Sequence, residues 1–177
     1  DAIRLPPISM PADMSTAAGR PCLVIWTISW VLTASSTRAD SLSFASLSEI
    51  NGDIDMSTSG GDITTGDFSG NGYLHTSGGD IKLGKVGGTL EVSTSGGNIR
   101  VVYVAKSLEA KTSGGDIEVG DVGGETSVST SGGDIQVGSV SGKASMNTSG
   151  GNIDLKGASG TVSARTSGGD IHLTNIS

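Results

Sequence analysis

Five aspartates occupy one recurring slot in this sequence, and that slot is where chemistry would first be sought. Asp62, Asp80, Asp116, Asp134 and Asp170 each follow a Gly-Gly pair, and Asn98 and Asn152 fill the same slot in two further copies. Stacked into a row, such carboxylates could hold divalent cations through their oxygens, calcium being the natural candidate. They could equally accept hydrogen bonds from backbone amides or Ser/Thr hydroxyls at a bend, a task that asparagine performs as well. Adjacent carboxylates at coil spacing repel by somewhat under about 1 kcal/mol in water, so either use must offset that cost. The presence of asparagine favours the structural use. Calcium β-rolls also carry a different signature, Gly-Gly-x-Gly-x-Asp-x-apolar-x. Here the acid follows the glycine pair directly. We therefore expect no cofactor and no metal, with a cation-binding solenoid built on the five aspartates as the alternative.

Other reactive side chains are sparse. His75 and His172 lie in different repeat units, and neither has sequence-local partners for a triad or a metal site. The threonines ahead of each glycine pair suggest an ice-binding ladder. The alternation of Val128 and Thr130 instead turns them inward or onto a corner. Beyond residue 39 the aromatic residues are Phe44, Phe68, Tyr73 and Tyr103, too few for the sugar platforms of long-coil β-helix enzymes. No catalytic residue is expected, and a carbohydrate-active or ice-binding β-helix stands as a second alternative.

The elements that position these residues follow from the period. Thr-Ser-Gly-Gly-(Asp/Asn)-Ile begins at Thr58, Thr76, Thr94, Thr112, Thr130, Thr148 and Thr166, always 18 residues apart. Such a period marks a solenoid. An unbroken isoleucine column results: Ile63, Ile81, Ile99, Ile117, Ile135, Ile153 and Ile171. Two residues on run Thr65, Leu83, Val101, Val119, Val137, Leu155 and Leu173; three further on, Phe68, Val86, Val104, Val122, Val140, Ala158 and Ile176. A second strand supplies Leu90, Leu108, Thr126, Ala144 and Val162, then Leu74, Val92, Ala110, Val128, Met146 and Ala164. Apolar residues two apart indicate strands with one buried face. Variable polar columns alternate with them, one running Thr64, Lys82, Arg100, Glu118, Gln136, Asp154 and His172, another His75, Ser93, Lys111, Ser129, Asn147 and Arg165. The glycine pairs predict left-handed φ at tight corners.

The expected fold is all-β: a right-handed single-stranded parallel β-helix of about seven coils, with 18 residues and two short strands per coil. Composition agrees, since 29 glycines and 3% aromatic residues cannot build a core of large side chains. The formal charge of −7 argues against nucleic acid as a partner. The single cysteine, Cys22, allows no disulfide within the array.

The N-terminal part reads as an address. Met14, Arg20, the apolar run Cys22–Leu32 and the sequence Thr37-Arg38-Ala39 form the n-region, h-region and cleavage site of a signal peptide at 14–39. The apolar run is shorter than the roughly 20 residues a spanning helix needs, so no membrane insertion is expected after cleavage. Residues 1–13 are an upstream segment of unknown role, 40–48 a lead-in, and 49–177 the β-solenoid domain. The array stops in mid-coil at Ser177 with no cap, and the expectation is C-terminal truncation.

The Ser-Gly-Gly-Asp-Ile repeat, alternating with weaker Gly-Gly-x-x-x-Val half-repeats over residues 49–177, resembles a bacterial family of β-strand repeats that carries an adhesin label and is a domain of unknown function. The resemblance implies a right-handed β-helix, exported or membrane-tethered, and brings no catalytic residues. The combined expectation is a non-enzymatic exported scaffold, secreted, periplasmic or at the cell surface. It would contact an unidentified protein or glycan through its outward columns.

Overall fold

The computed structural model describes residues 36–40, 44–47 and 50–177. Sixteen strands form two eight-stranded, wholly parallel sheets. The first sheet contains β1 (Ser36–Asp40), β3 (Asp53–Thr58), β5 (Gly72–Thr76), β7 (Leu90–Ser93), β9 (Leu108–Lys111), β11 (Thr126–Ser129), β13 (Ala144–Asn147) and β15 (Val162–Arg165). The second contains β2 (Phe44–Leu47), β4 (Asp62–Thr65), β6 (Ile81–Val86), β8 (Ile99–Val104), β10 (Ile117–Val122), β12 (Ile135–Val140), β14 (Ile153–Ala158) and β16 (Ile171–Leu173). Odd strands pair only with odd and even only with even, so the chain alternates sheets at each corner. The result is a parallel β-solenoid of about seven turns, 18 residues per turn, with no helix among the described residues.

Register follows the repeat without slippage. Ile117 pairs with Ile99 on one side and Ile135 on the other, and Thr126 with Leu108 and Ala144. A register set by a period-2 buried face is strongly specified, because a one-residue slip would turn every apolar side chain to solvent. Pairing reaches further back than the repeat motif, since β1 pairs with β3 from Ser36↔Asp53 to Asp40↔Ser57. The apolar part of the expected signal segment lies outside the described residues. The expected cleavage point after Ala39 falls inside β1.

The core lies between the two sheets, where all the predicted inward columns meet. Ile63, Ile81, Ile99, Ile117, Ile135 and Ile153 are each at most 1% exposed. Ile171 is 43% exposed, because β16 pairs with β14 on one side only. Side-chain volume is balanced within coils. Met146 shares its strand with Ala144, and Leu108 with Ala110, so a large residue in one column accompanies a small one in the next. The same balance explains Phe68, the largest member of its column. A Cβ on Gly72 would lie 2.8 Å from the Phe68 ring and 2.9 Å from Leu90 Cδ1, so the glycine leaves the space that the ring fills.

The glycine pairs serve a different purpose from the one expected. Among the described residues, positive φ occurs at Gly52 (144°) and Asn175 (51°), not at the paired glycines. The constraint is steric: at Gly87-Gly88 and Gly123-Gly124 it falls on both glycines, and at the Thr-Ser-Gly-Gly corner on the second alone. A Cβ on Gly79, Gly97, Gly115, Gly133, Gly151 or Gly169 would run into the carbonyl of the equivalent glycine one coil earlier. The first glycine has room: Gly60 meets nothing within 4 Å, and Gly78 and Gly96 have nothing closer than 3.8 Å. Corners stacked in register at about 4.8 Å leave no width for a side chain on their inner turn.

Candidate functional site: the corner ladders and the outward columns

The five aspartates form the expected row, and the structure occupies all but Asp170 with backbone amides. Asp62 Oδ1 accepts from the amide of Asp80 at 2.8 Å, Asp80 Oδ1 from Asn98 at 2.8 Å, and Asn98 Oδ1 from Asp116 at 2.8 Å. Asp116 Oδ1 accepts from Asp134 at 2.8 Å, Asp134 Oδ1 from Asn152 at 2.6 Å, and Asn152 Oδ1 from Asp170 at 2.8 Å. Each side chain thus holds the next coil's backbone, and asparagine makes the bond as aspartate does. An acceptor carboxylate gains from a nearby N–H, which offsets the mutual repulsion of the row. Among the described residues no group of three or more His, Cys, Asp or Glu is placed to hold a metal ion.

The same device recurs where the repeat does not advertise it. Asp53 Oδ1 accepts from Asn71 at 2.6 Å, Asn71 Oδ1 from Thr89 at 2.9 Å, Asp67 Oδ1 from Lys85 at 2.7 Å, and Asp121 Oδ1 from Ser139 at 2.9 Å. These residues belong to variable columns. Asp53 and Asn71 sit at strand entrances, where an Asp or Asn could have signalled the role, whereas Asp67 follows β4 and Asp121 lies within β10.

Threonines at the glycine corner are internal. Thr76, Thr94, Thr112, Thr130 and Thr148 are buried. Each hydroxyl donates to a glycine carbonyl of the preceding coil at 2.9–3.0 Å, as Thr76 Oγ1 does to Gly61 O. Each also accepts from the glycine amide three residues on, as from Gly79 at 3.3 Å. A ladder so consumed offers no hydroxyl array to ice or solvent.

The outward strand positions are variable, whereas the corner serines, such as Ser95, Ser113 and Ser131, are exposed and the same in every coil. On the second sheet Lys82, Arg100, Glu118 and Gln136 stand in one column. Arg100 Nε donates to Glu118 Oε2 at 2.8 Å, and Lys82 Nζ lies 3.9 Å from Asp80. This column and the aspartate row bound a groove of about 450 Å³ that crosses four coils. Lys111 lies on the first sheet instead, in an ion pair with Glu109. That hydrogen bond and the carboxylate's charge, with a smaller contribution from Glu91, raise the lysine pKa above its ordinary value. Lys82 and Arg100 are therefore neighbours, whereas Lys111 belongs to the opposite face. His75 does gain a partner across coils: its Nδ1 lies 2.8 Å from Ser93 Oγ. His172 lies on the second sheet, in the column of Asp154.

Comparison with known families places this architecture. A family model described as Toastrack DUF4097 matches residues 85–177, more than half of the chain. The chain belongs to this family. The Toastrack domain is a repeat β-strand domain of unknown function, in line with the solenoid seen here. Two further copies of the Thr-Ser-Gly-Gly-Asp-Ile motif, at Thr58 and Thr76, continue the Toastrack array ahead of the matched segment. No curated protein and no solved structure matches the chain.

Proposed function

We propose that this Toastrack domain is a non-enzymatic scaffold of the bacterial cell exterior or envelope, an adhesion module that meets its partners through the outward columns of its two sheets. One observation carries the reading. The Thr ladder and the Asp/Asn row are engaged in coil-to-coil hydrogen bonds, whereas chemical variety is concentrated in the outward strand columns. Specificity in solenoids resides in such per-coil variation on an extended surface. Export is supported by the signal-peptide pattern at 14–39.

The test is binding of the purified chain to intact cells or envelope fragments. Reversing Lys82 and Arg100 together tests the second sheet, and reversing Lys111 tests the first. Loss with one set assigns the contact to that face. Binding unchanged in both, or turnover of polysaccharide by the unaltered chain, would overturn the proposal.

A further inference from the structure

On the outer face of the second sheet, two adjacent coils differ from all the others described. Strand β6 presents Lys82 and Lys85, and β8 presents Arg100, Val102 and Tyr103. Register sets Lys82 beside Arg100 and Lys85 beside Tyr103, about 4.8 Å apart as parallel neighbours are. Val102 is 55% and Tyr103 38% exposed, among the largest apolar exposures outside the last coil. Glycines flank Val102 in its column, Gly84 one coil earlier and Gly120 one coil later, so no neighbouring side chain of its own column covers it. Within a chain of net charge −7, three cations here adjoin one aromatic ring. Glu118 holds the Arg100 guanidinium over the coil, and Lys85 has no ion pair among the described residues.

We propose that Lys82, Lys85, Arg100 and Tyr103 form a binding site for an acidic polysaccharide, laid along β6 and β8 across the solenoid axis. This deepens the adhesion reading and rests on it. The cations match carboxylate or sulfate groups, Lys85 with its whole ammonium and Arg100 through the guanidinium nitrogen that Glu118 leaves free. The exposed tyrosine offers a face for sugar C–H groups. Glu118 and Asp121 in the following coil restrict the anionic run to the two basic coils. An anionic bilayer fits less well. Membrane attraction grows with the number of basic residues near the surface, and three on an acidic body give little.

The experiment measures binding of the full chain to polygalacturonate, alginate and heparin, with methyl-esterified polygalacturonate and phosphatidylserine vesicles alongside. We expect at least one acidic polymer to bind and the esterified polymer to bind at least tenfold more weakly. K82E/K85E and Tyr103→Ala should each lose tenfold or more, with melting temperatures unchanged because all three side chains are exposed. The proposal falls if none of the three acidic polymers binds, if the ester binds equally well, if the variants bind like the parent chain, or if only vesicles bind. Cell binding that persists without any polymer binding would leave the adhesion reading standing and remove this one.

Discussion

The hydroxyl of Thr130 donates to the carbonyl of Gly115, in the coil before it, at 3.0 Å, and accepts from the amide of Gly133 at 3.3 Å. Four residues earlier Thr126, equally buried, has a hydroxyl with no partner. Threonine and valine have nearly the same shape, so one substitution separates the two environments. Thr130→Val strands a buried carbonyl and an amide, and should cost about 1–3 kcal/mol. Thr126→Val removes an unsatisfied polar group and should stabilise by about 1 kcal/mol or more. Thermal melts of the two variants should move in opposite directions, by roughly 2–4 °C per kcal/mol for a chain of this size.

The two glycines of a pair should respond unequally. An added Cβ at Gly132 meets nothing closer than 3.5 Å, whereas at Gly133 it enters the Gly115 carbonyl. Gly132→Ala should stay within about 0.5 kcal/mol of the parent, as surface changes do. Gly133→Ala should cost about 1–3 kcal/mol or more through overpacking against backbone. Equal melting temperatures for the two would refute the steric account of this corner.

Gly72 and Phe68 form a size-matched pair, which a double-mutant cycle can expose. Gly72→Ala alone crowds the ring and should destabilise by about 1–3 kcal/mol. Combined with Phe68→Val, the residue type most common in that column, the alanine should fill part of the space the ring vacates. A coupling energy of about 0.5–3 kcal/mol is expected for residues in contact. Additive effects would show that the two do not share one space.

Asp116 should matter as an acceptor, not as a charge. Its Oδ1 receives the Asp134 amide, and Asn98 and Asn152 make the same bond. Asp116→Asn should leave the melt within about 0.5 kcal/mol of the parent, and Asp116→Ala should cost about 0.5–1.5 kcal/mol. Calcium at millimolar concentration should not shift the melting temperature of the unaltered chain. A calcium-dependent rise that Asp116→Asn abolishes would restore the row as a cation site.

How much of this was legible in the sequence depends on whether a residue is constrained by its own column or by its neighbours. The Ile117 column, the two strands per coil and the inward threonines follow from spacing, because a buried stack repeats its demand in every coil. The structural use of Asp116 was legible for the same reason, through the asparagines that replace it. The role of Gly133 was not. Glycine tolerates both positive φ and close approach, and only stacked coordinates tell these apart. Gly72 beside Phe68 and the contact of His75 with Ser93 each join different columns, and no single periodic position announces such a pairing. The separation of Lys111 from Lys82 and Arg100 was implicit in the alternation of strands, yet it becomes plain only once odd and even strands are seen to form separate sheets.

The corner hydrogen bonds have a direction. Acceptors on each coil, the Asp or Asn side chain and the glycine carbonyl, face the coil that follows; the donors that meet them, an amide and a threonine hydroxyl, face the coil before. Each turn therefore carries a complete plug on one side and a complete socket on the other, identical from copy to copy. Such a module can be duplicated or lost as a whole unit without rewriting its neighbours, so lineages carrying this array are free to change its length by recombination between coils while its displayed faces diverge one residue at a time.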